Sequence, residues 1–405
     1  MSSKPRTSSE LRREVFRGMY NPIYRNPHPA EKADSMPKTP ISSWIRMPRR
    51  HSIVVMLNFL LLCTFIYHLP KIPHQNFLPT SLTTNTPTIQ AAKPSHPSFY
   101  EDKAFEGLSK KAAQAHLQKL AKTLTSTPFP KHIYQTWKSI ALPSDDAYHR
   151  QRSWSSKNPS HEYTLLTDAT ALKYVEDNFN STDPFIVHLF ANFPQRIVAA
   201  DLLRYLIAYK SGGLYTDIDT ECNKPIDTWL PQAVSVLPGV MIQDVNIVIG
   251  MELDIVDRNK YPDAWVHDNA FLRRIQFLQW SIYAKPGHEI PRRMVTSMQE
   301  SVRGDIANTT DKSIKSVRYK EREVLDRSGP FRWTKVVLDY INQIEGREVP
   351  YEEFSGIKEA KKFGDVLFLA VNRMSPGVPH SDAGPDETSF LIHHFSGSWR
   401  DDLAS

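Results

Sequence analysis

Residues 199–222 read AADLLRYLIAYKSGGLYTDIDTEC. Ile197, Ala200, Leu203, Leu206 and Ile207 recur at helical spacing, which predicts an amphipathic helix over 194–210. Gly212 and Gly213 close it, because a residue without Cβ can turn the backbone sharply out of a helix. A short turn reads over 214–218, where Asp217 and Asp219 begin to alternate. Read as extended chain, their alternation puts both carboxylates on one face, with Ile218 between them pointing into the core. Two hard oxygen ligands so placed can share a divalent cation and the pyrophosphate it bridges. Asp201 and Arg204, one helical turn apart, share a face that points the same way. Each part has a plainer alternative. An Asp-x-Asp alone is usually a solvated turn, and Asp201 with Arg204 could be a surface ion pair worth under about 1 kcal/mol. The order of helix, paired glycines, aromatic residue and alternating aspartates is what sets the stretch apart.

Around it, strand and helix signals alternate from residue 128 onward. HIYQTW (132–137) and EYTLLT (162–167) read as buried strands, and 168–179 as a helix capped by Thr167 or Asp168. Further strands are predicted near 234–237 and 245–250. Such alternation predicts an α/β layered domain. Trp265, Trp280 and Trp333 read as core, and Cys222 as a small buried residue. Glu252 and Asp254 could be acceptor-side carboxylates or the polar end of a strand.

Upstream the composition changes. The chain has 405 residues, a net charge of +6 and only two cysteines, Cys63 and Cys222. The tail 1–52 is basic, which suits nucleic acid or an anionic membrane surface. The uncharged segment 53–69 that follows favours the membrane. At 1.5 Å per residue it spans roughly 26 Å, near the hydrocarbon thickness of a thin bilayer. Arg46, Arg49 and Arg50 flank its start, so the tail is expected in the cytosol and the remainder in the lumen, with no nucleic-acid partner. Residues 70–127 form a Pro-, Thr- and Ser-rich stem ending in a helix over about 103–124, which could pack on the domain or pair two copies of the chain. The catalytic domain is expected over 128–405. Asn180 and Asn308 head glycosylation sequons.

The central string resembles the D-x-x-R…GG-x-Y-x-D-x-D signature of family-32 glycosyltransferases, shared with large clostridial glucosylating toxins. FPKHIYQTWK (129–138), RRIQFLQWSIYAKPGHEIP (273–291), SGPFRWT (328–334) and HHFSGSWR (393–400) resemble further blocks of the fungal Golgi initiating α-1,6-mannosyltransferase family. The resemblance implies a GT-A fold with a central, mostly parallel sheet. It implies Mn²⁺ held by Asp219 and Asp217 with His394 (or His393), and GDP-mannose as donor. The donor would be contacted by Asp201, Arg204, Tyr215, Asp217, Gln135, Thr136, Trp137, Ser398 and Trp399. The acceptor would be an N-glycan or mannan. The resemblance adds a Golgi location to the type II orientation that the basic flank gives, and a multi-subunit mannan-synthesising complex to the homodimer that the stem helix would allow. Rival readings are an inositol-phosphoceramide mannosyltransferase and a non-catalytic subunit of that complex. The first normally carries extra apolar spans, and the intact Asp201, Arg204, Asp217 and Asp219 speak against the second.

Overall fold

A computed structural model describes residue 105 and residues 107–403, apart from 269, 270, 382 and 385. The basic tail, the 53–69 segment and the Pro-rich stem therefore lie outside the described residues. Among the described residues no helix is long and apolar enough to cross a membrane.

The strands are β1 (His132–Trp137), β2 (Glu162–Thr167), β3 (Gly213–Thr216), β4 (Thr220–Cys222), β5 (Ile247–Asp254), β6 (Ile275–Ala284), β7 (Lys361–Phe363), β8 (Val366–Leu369) and β9 (Leu391–His393). The main helices are α1 (Lys110–Leu124), α2 (Asp145–Lys157), α3 (Asp168–Phe179), α4 (Pro184–Asn192), α5 (Arg196–Lys210), α6 (Trp229–Val234), α7 (Glu289–Asn308), α8 (Glu321–Arg327), α9 (Pro330–Glu345) and α10 (Val371–Met374). One sheet runs in the order β2-β1-β3-β6-β5-β8-β7. β1, β2, β3, β5 and β8 point the same way, while β6 and the edge strand β7 run against them. The sheet is thus mostly parallel in direction, although β6 divides it.

The pleat sends alternate side chains to opposite faces. Tyr134, Tyr215, Ile249, Phe277, Ile282 and Phe368 join one apolar cluster with α1, α3, α4, α5, α7 and α9. Their neighbours Ile133, Leu214, Val248, Leu278, Tyr283 and Leu367 join a second, with α2, α6 and α10. The result is helix, sheet, helix. Local signals fix the boundaries: Ser144, Thr167 and Asp183 cap α2, α3 and α4 with their side-chain oxygens.

Two expectations fail here. The strand expected at 234–237 is the last residue of α6 and a turn, because Trp229, Leu230 and Ala233 bury at helical spacing. The turn expected over 214–218 starts later, because residues 214–216 continue β3, which is buried along its whole length, and only Asp217 and Ile218 leave the strand. The helix expected over 103–124 is α1, which packs on the domain. Leu117 is fully buried, and the Gln114 and Gln118 amides both donate to Ile344 O near the end of α9. Cys222 is buried, as read, and so is Trp333.

Candidate active site

α5 is buried on nearly every side along its middle, so Asp201 and Arg204 sit in the interior. Asp201 is 1% exposed and Arg204 is 4%. Arg204 Nη1 lies 3.0 Å from Asp201 Oδ1, and Nη2 lies 3.1 Å from Asp217 Oδ1. Ser328 donates to Asp201 Oδ2 at 2.6 Å and Gln279 to Oδ1 at 3.3 Å. Burial pushes the Asp201 carboxyl up to about 6, against the pull of Arg204. This is no surface ion pair. Arg204 Nε is buried with no hydrogen-bond partner in the described structure, a donor that folding alone leaves unused.

Gly212 and Gly213 adopt φ of +64° and +78°. A Cβ on Gly213 would lie 2.5 Å from His132 O, so only glycine lets β3 approach β1 there. β3 stops at Thr216, and Asp217–Thr220 is a tight turn closed by Thr220 N–H to Asp217 O at 3.1 Å. The aspartates therefore converge by turn geometry and not by strand alternation. Ile218 is half-buried and faces a cleft, where a core position was expected. Gln135 and Tyr215, expected at the donor, are buried behind the turn. Gln135 donates to Asp217 O at 2.9 Å and the Tyr215 hydroxyl to Asp217 Oδ1 at 2.8 Å. They aim Asp217.

The C-terminal strand brings one of the two candidate histidines to Asp219. β9 pairs with β4 so that His393 lies opposite Thr220. His393 Nε2 is 3.2 Å from Asp219 Oδ1, and Ser396 N–H donates to Oδ2 at 2.9 Å. Its neighbour His394, expected on the metal side, meets Glu221 at 3.1 Å instead. β9 ends at His393, and His394 donates its backbone N–H to Asp219 O while its ring turns away to Glu221. Burial drives the Asp219 carboxyl upward, yet His393 and the Ser396 amide outweigh it and hold it well below the usual range.

Two clefts meet at Arg204, Asp217, Asp219, Gly397 and Trp399. The first runs past Thr136, Trp137, Lys138, Arg196 and Ser398. The second runs past Asp201, Glu252, Gln276, Trp280 and Phe331. The sequence reading missed Lys138, Arg196, Gln276, Gln279 and Ser328. Nothing but the tertiary fold brings β6 and α8 to this point.

Among the described residues no three His, Cys, Asp or Glu side chains converge to hold a metal ion. Asp217 and Asp219 still fit a hard divalent cation, which binds through one or two carboxylates when phosphate oxygens and water complete its shell. Such a cation would arrive with a nucleotide.

A family profile described as "Glycosyltransferase sugar-binding region containing DXD motif" matches residues 144–236. The initiation-specific α-1,6-mannosyltransferase of Candida albicans is 32% identical over 299 residues, covering 68% of this chain and 74% of that one. Its Schizosaccharomyces pombe namesake is 32% identical over 283 residues, covering 67% and 64%. Inositol phosphoceramide mannosyltransferase 3 of S. pombe is 34% identical over 105 residues, covering 26% of this chain and 28% of its own.

Proposed function

The chain belongs to the DXD-motif glycosyltransferase family of the initiation-specific α-1,6-mannosyltransferases, and we propose that this mannosyltransferase draws its sugar from GDP-mannose and transfers it, with retention, to a mannose-bearing N-glycan. The observation that carries the reading is the meeting of two clefts at Arg204, Asp217 and Asp219. In this GT-A reading the nucleotide lies in the first cleft against Trp137 and Thr136, with Lys138 and Arg196 supplying positive charge. The mannose lies at the junction against Asp201 and Arg204, whose free Nε is available to it. The acceptor enters by the second cleft.

Mn²⁺ held by Asp217 and Asp219 would neutralise the departing diphosphate. The remaining work is done by the chain. Tyr215 and Gln135 fix Asp217, and Arg204 bridges Asp201 and Asp217. The bond from C1 to the phosphate oxygen breaks with its electron pair going to GDP. The acceptor oxygen bonds to C1 on the same face, and its proton passes to the departing phosphate oxygen. The 53–69 segment anchors the enzyme as a Golgi type II protein with this domain in the lumen.

The test is to offer the purified protein a panel of nucleotide sugars and defined mannosides, with Mn²⁺ and with EDTA. GDP-mannose alone should be used, and only with the cation. Asp219→Asn should stay folded but melt lower, because it gives up the contacts to His393 and the Ser396 amide that hold the carboxyl low, and it should lose roughly 10²–10³ in rate. Undiminished transfer in EDTA, or equal use of another nucleotide sugar, would overturn the reading.

A further inference from the structure

Among the described residues Glu252 is buried with no ion-pair partner, and the charge that draws on it is that of His393. Glu252 sits in β5, a strand buried along its full length, and is itself 7% exposed. Its only hydrogen bonds in the described structure come from β6, where Gln276 Nε2 donates to Oε2 at 2.6 Å and Trp280 Nε1 to Oε1 at 3.1 Å. A carboxylate can accept about four hydrogen bonds, so half its capacity is unused. Burial pushes its carboxyl above the ordinary range, which marks a charge that folding does not reward.

Asp254, two residues on, is the contrast. Ser355 Oγ donates to one of its oxygens at 2.7 Å and the Gly356 amide to the other at 2.6 Å, tying down a loop. Asp254 lines neither cleft, whereas Glu252 lines the second together with Trp280, Phe331 and Phe395. A buried carboxylate beside apolar ring faces is the composition of a sugar subsite, where rings meet C–H faces and a few polar groups fix orientation.

We propose that Glu252 holds a non-reacting hydroxyl of the acceptor mannose, making the floor of the second cleft the acceptor subsite and Glu252 its specificity determinant. The proposal rests on the glycosyl-transfer reading above. Glu252 forms no bond to carbon and takes no proton, since the attacking hydroxyl's proton leaves with the phosphate. Gln276 and Trp280, which line the same cleft, are positioning residues that hold the carboxylate.

The experiment measures kcat/KM for an acceptor mannoside and its monodeoxy analogues with wild type, Glu252→Gln and Glu252→Asp, alongside GDP binding with Mn²⁺. A hydrogen bond to a charged group supports a loss of roughly 100-fold for one analogue with wild type. Glu252→Gln should lose roughly 100-fold on the parent acceptor, lose little more on that analogue, and keep its GDP affinity within about threefold. If Glu252→Gln does not fold, Glu252→Asp, which keeps the charge but withdraws it, carries the same comparison. Equal penalties for that analogue in wild type and variant overturn the proposal alone, as does a wild type indifferent to every deoxy analogue. GDP affinity falling in step with transfer also overturns it, by making Glu252 structural. No transfer from GDP-mannose by wild type would remove the underlying reading as well.

Discussion

Asp201 carries a burial that weakens the fold, which the proposed donor-binding role would explain. Its carboxyl is pushed up to about 6 by burial, from an ordinary value of 3.8. The folded state therefore holds its proton more tightly than the unfolded chain between those two values, and stability falls as pH rises through that window. At 1.36 kcal/mol per unit this is on the order of 3 kcal/mol, fully developed above pH 6. Asp201→Asn removes the titration but keeps the shape. The difference in stability, variant minus wild type, should grow from pH 4 to pH 6 and then level off, as followed by denaturant melts. Mannose transfer should meanwhile fall at least 100-fold while GDP binding largely survives. A flat difference across that window, or equal loss of GDP affinity and transfer, would mean Asp201 serves as an ordinary structural anion.

At the scale of elements, what can be read in advance is what is local. β1, β2 and α3 are legible to the residue because strand-favouring β-branched and aromatic residues and a Thr167 cap are local signals. The Asp217–Thr220 turn is not, since two aspartates one residue apart fit a strand or a turn equally well. The choice between His393 and His394 depended on the β4–β9 register, a contact between residues about 170 positions apart. Glu252 was visible, but its donors Gln276 and Trp280 were hidden in a strand buried on both faces, which shows no alternation to read. The helix α1 illustrates the same limit, because its stripe fitted docking or pairing. The structure docks it: the Asn246 amide donates to Ala121 O and the buried Lys285 ammonium to Leu124 O. Leu117→Ala should therefore cost about 2–5 kcal/mol. A chain starting at residue 125 should melt still lower than one starting at 105, because Lys285 also loses an acceptor. Calorimetry on the three proteins checks this, and coincident melting temperatures would show α1 to be a passenger.

The whole chain places a basic tail and an uncharged 17-residue stretch ahead of a domain with its own double-faced core. In the proposed topology the tail stays in the cytosol, because Arg46, Arg49 and Arg50 resist transfer across the bilayer. Everything after residue 69 then meets the glycosylation machinery. Asn180 ends α3 at its C-cap and Asn308 is the last residue of α7. Both are exposed and neither lines a cleft. A glycan at either position would project into solvent without touching the site. At least one should therefore be occupied in the membrane-bound protein, and glycosidase treatment should increase its mobility on a gel. The double variant Asn180→Gln, Asn308→Gln should remove that shift and leave transfer within about twofold, since surface changes away from special features typically cost under ~0.5 kcal/mol. Protease added to sealed microsomes should trim about 50 residues and spare the domain. A domain that is digested from outside and carries no glycan would reverse the orientation. The site chemistry would survive that result, because the residues at the cleft junction owe their geometry to the fold and not to the membrane.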